Sequence, residues 1–150
     1  MELTPIFEVV RIKQEIREMV EPFAAFQIRN PEDARELAAA QIANEDREVF
    51  LVMMLNTKNH VVGLHRAHVG SLNASVVHPR DVLKCAILNN AASLIVSHQH
   101  PSGDPTPSME DIEVTKRLAE AGKIIGIEVL DHLIVSHTGQ YVSLKEKGYL

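Results

Sequence analysis

The residues most able to do chemistry lie between positions 97 and 111, in the run Ser-His-Gln-His-Pro-Ser-Gly-Asp-Pro-Thr-Pro-Ser-Met-Glu-Asp. His98 and His100 are separated by one residue at the end of a predicted strand. Side chains alternate along a strand, so both imidazoles project to the same side. The prolines between positions 101 and 107 exclude regular structure. The chain then turns back and presents Asp111 from the first turn of the next helix. This spacing predicts a three-ligand metal site.

Two neutral imidazoles and one carboxylate are typical of a catalytic zinc site, because three protein ligands leave a fourth tetrahedral position for water. Bound zinc lowers the pKa of such a water to about 7. Glu48 immediately precedes an apolar run and is our candidate for the general base. Ser108 is the candidate hydroxyl that donates to the oxyanion of a tetrahedral intermediate.

Each of these residues also has a purely structural interpretation. Eight histidines in 150 residues make a chance His-x-His pair common. Ser108 and Asp111 have the spacing of a capping box at a helix start, and Glu48 alone is an ordinary surface acid before a strand. The coincidence of the histidine pair, the proline-rich loop and the returning acid favours metal binding over these interpretations.

The elements that must position these residues alternate between helices and strands. The order along the chain is a helix near 31–43, strands at 49–55 and 61–64, a helix that begins at 79 after His78, a strand at 94–96, a helix from the capping box at 108 to about Gly122, an alternating strand at 127–135 and a last strand at 141–144. This order predicts an α/β fold with a mixed β-sheet flanked by helices. We expect one domain over 1–150, in which 1–30 form an N-terminal extension or edge strands.

Composition narrows the class of protein. The chain has 150 residues, of which 45% are hydrophobic and 23% charged, as expected for a globular domain. Its net charge of −5 argues against a general nucleic-acid surface, although a local basic patch could form from Lys116, Arg117 and Lys123. Cys85 is the only cysteine, which excludes an internal disulfide, a Cys-x-x-Cys site and the zinc site of nucleobase deaminases. No signal peptide or membrane span is evident, so we expect a cytoplasmic protein with no membrane partner.

Four other side chains have simpler interpretations. His78 and Arg80 flank the start of a helix and are expected to cap it or face solvent rather than contact substrate. His132 lies in an alternating strand and is expected to be a satisfied, partly buried histidine rather than a fourth ligand. Cys85 lies on the apolar face of its helix, which favours a core thiol over a nucleophile.

The chain resembles the JAMM motif of the JAB/MPN metalloprotease family in the pattern Glu48 before an apolar strand, His98-x-His100-Pro101, six residues, and Ser108-x-x-Asp111. Within that family, the proline-rich run after the histidines and the segment 129–135 resemble the RadC branch. The resemblance covers about residues 30–150. It implies that His98, His100 and Asp111 hold zinc, that Glu48 is the general base and that Ser108 assists the transition state. It also implies the MPN/JAB fold, which is similar to the cytidine deaminase core.

Two departures limit what the resemblance carries over. Gln99 stands between the histidines where the deubiquitinating relatives usually have Ser or Thr, so a ubiquitin-type substrate does not follow. RadC proteins of full length usually carry a DNA-binding helix-hairpin-helix segment before this domain. We expect none in this chain, which weakens the link to DNA repair.

Three functions therefore compete. The first is a zinc-dependent hydrolase that attacks an amide or isopeptide bond of a protein or peptide substrate. The second is a non-catalytic JAB/MPN binding module, against which the joint presence of Glu48, Ser108 and the ligand set argues. The third is a metal-dependent DNA-processing protein, which the net charge disfavours. The sequence leaves the identity of the substrate and the oligomeric state open.

Overall fold

The computed structural model describes residues 3–19, 26–71 and 76–150. Within these ranges the elements, in chain order, are α1 (Pro31–Ile42), β1 (Val49–Leu55), β2 (Val61–Val69), α2 (Pro79–Leu88), β3 (Ser93–Gln99), α3 (Met109–Ile125), β4 (Glu128–Val135) and β5 (Tyr141–Ser143).

The strands form one sheet in the order β2-β1-β3-β4-β5. β3 and β4 are parallel, whereas the other three neighbouring pairs are antiparallel. The predicted mixed sheet flanked by helices is therefore confirmed. Every residue of β1 and β3 is buried, as the continuous apolar run in β1 predicts for a strand covered on both faces.

Each face of the sheet packs against its own helices. The α1 face buries residues that include Ala34, Leu37, Ala38 and Ile42 against alternate residues of β1. The opposite face buries residues of α2 and α3, among them Val82, Leu83, Ala86, Val114 and Leu118, against the other residues of β1. This opposite face, called the α2/α3 face below, carries the candidate site.

The helix starts follow the signals in the sequence. Asn30 caps α1, because its side chain accepts a hydrogen bond from the Asp33 amide at 3.0 Å. His78 stands at the N-cap of α2 but makes no capping hydrogen bond with its side chain, so the expected capping role is wrong. The extended backbone at His78 and the fixed φ of Pro79 suffice to start this helix. Arg80 is exposed, as expected.

The C-terminal end of α3 differs from the prediction. The helix continues past Gly122 to Ile125, and Gly126 takes the left-handed conformation with φ +85°. Gly122 serves a different purpose, because a β-carbon there would lie 2.4 Å from the backbone oxygen of Ile127. The glycine that looked like a helix stop is instead required for close packing of α3 against the chain that follows it.

Two strands are longer than predicted and two are one residue shorter. β2 extends to Val69 and β3 extends to Gln99, so His98 lies inside its strand. β4 begins at Glu128 and β5 ends at Ser143. These differences are at the ends of elements, where sequence signals are weakest.

The first thirty residues fall into two described parts, 3–19 and 26–30. Residues 3–19 form neither helix nor strand and are exposed. Residues 26–28 lie along the edge of the sheet, where Val61 N donates to Phe26 O and Ile28 N donates to Asn59 O, each at 2.9 Å. Positions 1, 2 and 20–25 lie outside the described residues. No helix in the described ranges is long and apolar enough to span a bilayer.

Candidate metal centre

The strand β3, the loop after it and the helix α3 supply the three candidate ligands. His98 is completely buried in β3 and faces α3, and His100 follows one residue after the end of that strand. Asp111 is the third residue of α3 and is also buried. The structure therefore brings the three predicted ligands together at the point where β3 ends and α3 begins.

The distances among the ligand atoms fit a single ion. His98 Nε2 lies 3.2 Å from His100 Nε2 and 3.0 Å from Asp111 Oδ1, and His100 Nε2 lies 3.1 Å from Asp111 Oδ2. Ligand atoms about 2.1 Å from a tetrahedral ion are about 3.4 Å apart. The observed separations match this value to within a few tenths of an ångström, so the residues present fit zinc or a similar cation.

Asp111 completes the cap of α3 and is also a candidate metal ligand. Its Oδ2 accepts a hydrogen bond from the Ser108 amide at 2.8 Å, while Ser108 Oγ accepts from the Asp111 amide at 3.1 Å. This reciprocal pair is the predicted capping box, and it fixes the carboxylate toward the histidines. Burial alone raises the pKa of Asp111, but hydrogen bonds from His100 and His98 outweigh it and hold the pKa well below its usual value.

The proline-rich loop orients His100. Gly103 adopts φ +88°, and its amide donates to His100 O at 2.9 Å, which turns the chain back. Asp104 O then lies 2.8 Å from His100 Nδ1. A carbonyl can only accept, so Nδ1 carries the proton and Nε2 faces the site. The hydrogen bond to Asp111, opposed in part by burial, raises the pKa of His100.

Glu48 lies beside the ligands at the start of β1. Because β1 and β3 are antiparallel, the start of β1, which Glu48 precedes, and the end of β3, which His100 follows, lie at the same edge of the sheet. Glu48 is half-buried, and its negative charge contributes to the raised pKa of His100 after the effect of Asp111. This position agrees with a carboxylate at the edge of the sheet near the ligands. Its role as a base remains a prediction.

Gln99 holds the backbone around Glu48, a role that the sequence did not suggest. The side chain points away from the histidines and is almost completely buried. Its Oε1 accepts from Val49 N at 2.8 Å, and its Nε2 donates to Arg47 O and, at 3.4 Å, to Glu45 O. The sequence does contain one signal for this role, which is that Gln99 is a polar residue in a predicted central strand. A buried amide must find hydrogen-bond partners.

His132 lies directly behind His98 and is completely buried rather than partly buried. The two rings approach with His98 Nδ1 2.8 Å from His132 Nε2, and Thr115 Oγ1 lies 2.5 Å from His132 Nδ1. Phe50 packs against both rings, with centroid distances of 6.4 Å and 5.7 Å. Burial holds the pKa of His132 well below its usual value. His132 lies outside the cluster of candidate ligands and contacts one of them, His98.

The remaining predicted features lie on α2 and α3. Cys85 is half-buried against the α2/α3 face, and its thiol donates to Val82 O at 3.2 Å. Burial raises the pKa of this thiol, which agrees with a core role. The side chains of Lys116, Arg117 and Lys123 are exposed.

Comparison with known proteins agrees with this geometry. The RadC-like JAB domain family matches residues 28–149. A UPF0758 protein of Caldanaerobacter subterraneus subsp. tengcongensis is 53% identical over 124 residues, covering 83% of this chain and 53% of the relative. A UPF0758 protein of Shouchella clausii is 49% identical over 149 residues, covering 99% of this chain and 63% of the relative. The chain thus spans about half to three fifths of the length of these relatives. The matched region contains all three candidate ligands. The chain belongs to the RadC-like JAB domain family.

Proposed function

We propose that this chain is a zinc-dependent hydrolase that cleaves an amide or isopeptide bond in a protein or peptide. The observation that carries the proposal is the cluster of two imidazoles and a carboxylate in which each pair of residues has ligand atoms 3.0–3.2 Å apart. The charge of Glu48, at the same edge of the sheet, acts on His100. Two histidines and one carboxylate are a ligand set of catalytic zinc sites rather than of closed structural ones.

Glu48 supplies the proton transfers in this proposal. A zinc ion held by His98, His100 and Asp111 would act as a Lewis acid and lower the pKa of a bound water to about 7. The half-buried Glu48 carboxylate accepts the proton of the attacking water and returns it to the leaving nitrogen. The Gln99 side chain holds the backbone on both sides of Glu48, at Arg47 and Val49, which limits how far this carboxylate can move.

Ser108 is suited to stabilise the oxyanion. Its oxygen accepts a hydrogen bond from the Asp111 amide, and its hydroxyl hydrogen is not used in that bond. The side chain is half-buried at the start of α3, next to the ligand Asp111. A hydroxyl that is held through its oxygen and still has a hydrogen to donate can stabilise negative charge developing on the substrate carbonyl oxygen.

The charge of the chain supports a protein or peptide substrate over a nucleic acid. The net charge is −5, and affinity for nucleic acids comes largely from neutralisation of phosphates by Lys and Arg. We propose that the 150-residue chain itself carries this activity. We also propose that it acts on a protein substrate in the cytoplasm.

The test is hydrolysis by the zinc-loaded protein, with Glu48→Gln as the critical variant. A panel of fluorogenic peptides and lysine isopeptides is assayed beside single-stranded and duplex DNA. We expect turnover of an amide substrate by the wild type and at least a 100-fold loss in Glu48→Gln with zinc retained, the usual scale for loss of a general base. Glu45→Gln is the matched control, because Glu45 is exposed and pairs with Arg66.

Three outcomes would contradict the proposal. Cleavage of DNA with no amide hydrolysis would favour the DNA-processing function. Binding of a protein partner without turnover of any amide substrate would favour a binding module. Equal loss of zinc and activity in Glu48→Gln would show that Glu48 is a ligand or a structural group.

A further inference from the structure

A chain of hydrogen bonds runs behind His98 through side chains that touch no solvent. His98 Nδ1 lies 2.8 Å from His132 Nε2, and His132 Nδ1 lies 2.5 Å from Thr115 Oγ1. The Thr115 hydroxyl donates to the backbone oxygen of Asp111 at 2.7 Å. All three side chains, His98, His132 and Thr115, are completely buried. This series of hydrogen bonds therefore links one candidate ligand, His98, to the backbone of another, Asp111.

We propose that His132 and Thr115 are positioning residues that hold His98 in the tautomer with its proton on Nδ1 and direct its Nε2 toward the metal. The inference rests on the proposed function, in which His98 Nε2 is a ligand. It assigns a role to two residues that touch neither the metal nor the substrate. A ligating histidine usually donates its other ring N–H to a carboxylate, a carbonyl or water. Here the acceptor is a second imidazole.

The number of hydrogens that each group can donate fixes which atom is the donor in every one of these hydrogen bonds. A threonine hydroxyl has one hydrogen, and that of Thr115 is used in the bond to Asp111 O. Thr115 Oγ1 therefore accepts from His132 Nδ1, which must carry a proton. A completely buried imidazole favours its neutral form, so His132 Nε2 is bare and accepts from His98 Nδ1. Nδ1 of His98 therefore keeps a proton. Nε2, which donates to Asp111 Oδ1 at 3.0 Å, is then the nitrogen that exchanges its proton for a metal.

Thr115 determines whether His98 donates to His132 or accepts from it. A neutral imidazole can donate through either nitrogen, so His132 alone does not select a tautomer of His98. If Thr115 donated to His132 instead, His132 Nε2 would carry its proton and donate to His98 Nδ1. The only proton of His98 would then lie on Nε2, where it would block the metal. The helical carbonyl of Asp111 gives the Thr115 hydrogen another acceptor and so prevents this reversed arrangement.

A local irregularity in β4 places His132 in this position. Leu94 pairs with Val129, but the next residue, Ile95, pairs with Asp131, so Leu130 is an extra residue in β4. This bulge reverses the alternation of the strand and turns His132 to the α2/α3 face, opposite Val96. The Asp131 carboxylate is directed elsewhere and accepts from Ser143 Oγ at 2.6 Å. His132 is thus aimed at His98 by the backbone as well as by its hydrogen bonds.

The experiment reads the tautomers directly by long-range ¹H–¹⁵N NMR of the histidine-labelled protein before and after addition of zinc. We expect His132 to be neutral with its proton on Nδ1 in both samples. We expect His98 to keep a proton on Nδ1 in both samples and to bind zinc through Nε2. These signals report proton positions, which a role in packing alone would not set.

Two variants of Thr115 provide the matched comparison. Thr115→Val keeps the shape and removes the hydroxyl, so His132 should shift toward its Nε2–H tautomer and zinc affinity should fall about 10-fold to 100-fold. Thr115→Ser keeps the hydroxyl and should preserve both the tautomers and zinc affinity. A wild-type His132 protonated on Nε2, in a chain that still binds one zinc ion, would overturn the positioning role alone. Failure of the wild type to bind zinc would overturn the proposed function and this role together.

Discussion

Replacement of Gln99 by methionine removes the hydrogen bonds that hold the chain beside Glu48. Methionine has nearly the same length and shape but no amide. The wild-type Gln99 amide is almost completely buried and bonds to Val49 N at 2.8 Å and to two carbonyl oxygens of the preceding residues. In the variant the buried Val49 N–H has no side-chain acceptor. The carbonyl oxygens of Glu45 and Arg47, whose residues are exposed, can be hydrated instead.

The expected loss of stability follows from these bonds. A buried donor left without a partner costs about 1–3 kcal/mol, and loss of a typical hydrogen bond costs about 1 kcal/mol. We therefore expect Gln99→Met to lower the free energy of unfolding by about 2–4 kcal/mol. The third bond, at 3.4 Å, adds little because it is long. Hydrolytic turnover should fall at least 10-fold, because a displaced base misaligns the proton transfer.

Urea unfolding followed by circular dichroism measures the stability, and hydrolysis of the substrate found for the wild type measures the turnover. Gln27→Met is the matched control, because Gln27 makes a single exposed amide bond, to Lys58 O at 3.0 Å. That control should change stability by less than about 0.5 kcal/mol. A Gln99→Met protein that loses less than about 1 kcal/mol and keeps full turnover would refute the proposed clamp on Glu48.

Three further predictions concern single side chains. Ser108→Ala should lower the free energy of unfolding by about 1 kcal/mol through loss of the helix cap and lower turnover by about 100-fold, and a variant with full turnover would restrict Ser108 to capping. Burial and the hydrogen bond to Glu32 raise the pKa of Tyr141 to about 12, so phenolate absorbance in a Tyr149→Phe protein should have its midpoint near that value and move toward 10.0 in Glu32→Gln. Because the folded chain keeps this proton to higher pH than the unfolded chain, stability should decrease as the pH rises from 10.0 toward 12, and a midpoint near 10.0 in the first protein would contradict the assignment. Burial raises the pKa of Cys85, so iodoacetamide at about pH 8 should alkylate the folded protein more slowly than the urea-unfolded chain, and equal rates would show that the thiol is accessible and unperturbed.

Signals confined to a few neighbouring residues predicted most of the fold. The apolar run of β1 and the caps at Asn30 and Ser108 depend on contacts within a few residues, and the structure confirms all three. The end of α3 was placed too early, because Gly122 is required by the approach of the Ile127 backbone, and Gly126 takes the left-handed conformation that ends the helix. Local propensity alone could not distinguish these two uses of glycine.

In the candidate site, the sequence predicted the ligands but not the residues that hold them. His98, His100 and Asp111 lie within 14 residues of one another, and the strand, loop and helix start between them could be predicted. The partners behind them could not. Gln99 finds its acceptors and donors about fifty residues away, on the chain before β1. His132 reaches His98 only because of the bulge at Leu130, whereas simple alternation along β4 predicts one face for Val129, Leu133 and Val135.

Calorimetric titration of Zn²⁺ into the wild type and into a His98→Ala/His100→Ala double variant tests the central claim most directly. Each histidine nitrogen already lies 3.0–3.1 Å from an Asp111 oxygen and 3.2 Å from the other histidine nitrogen, so we expect one zinc ion per wild-type chain and no tight binding by the double variant. Stoichiometric zinc retained by the folded double variant in the presence of a competing chelator would contradict the assignment of these histidines as ligands.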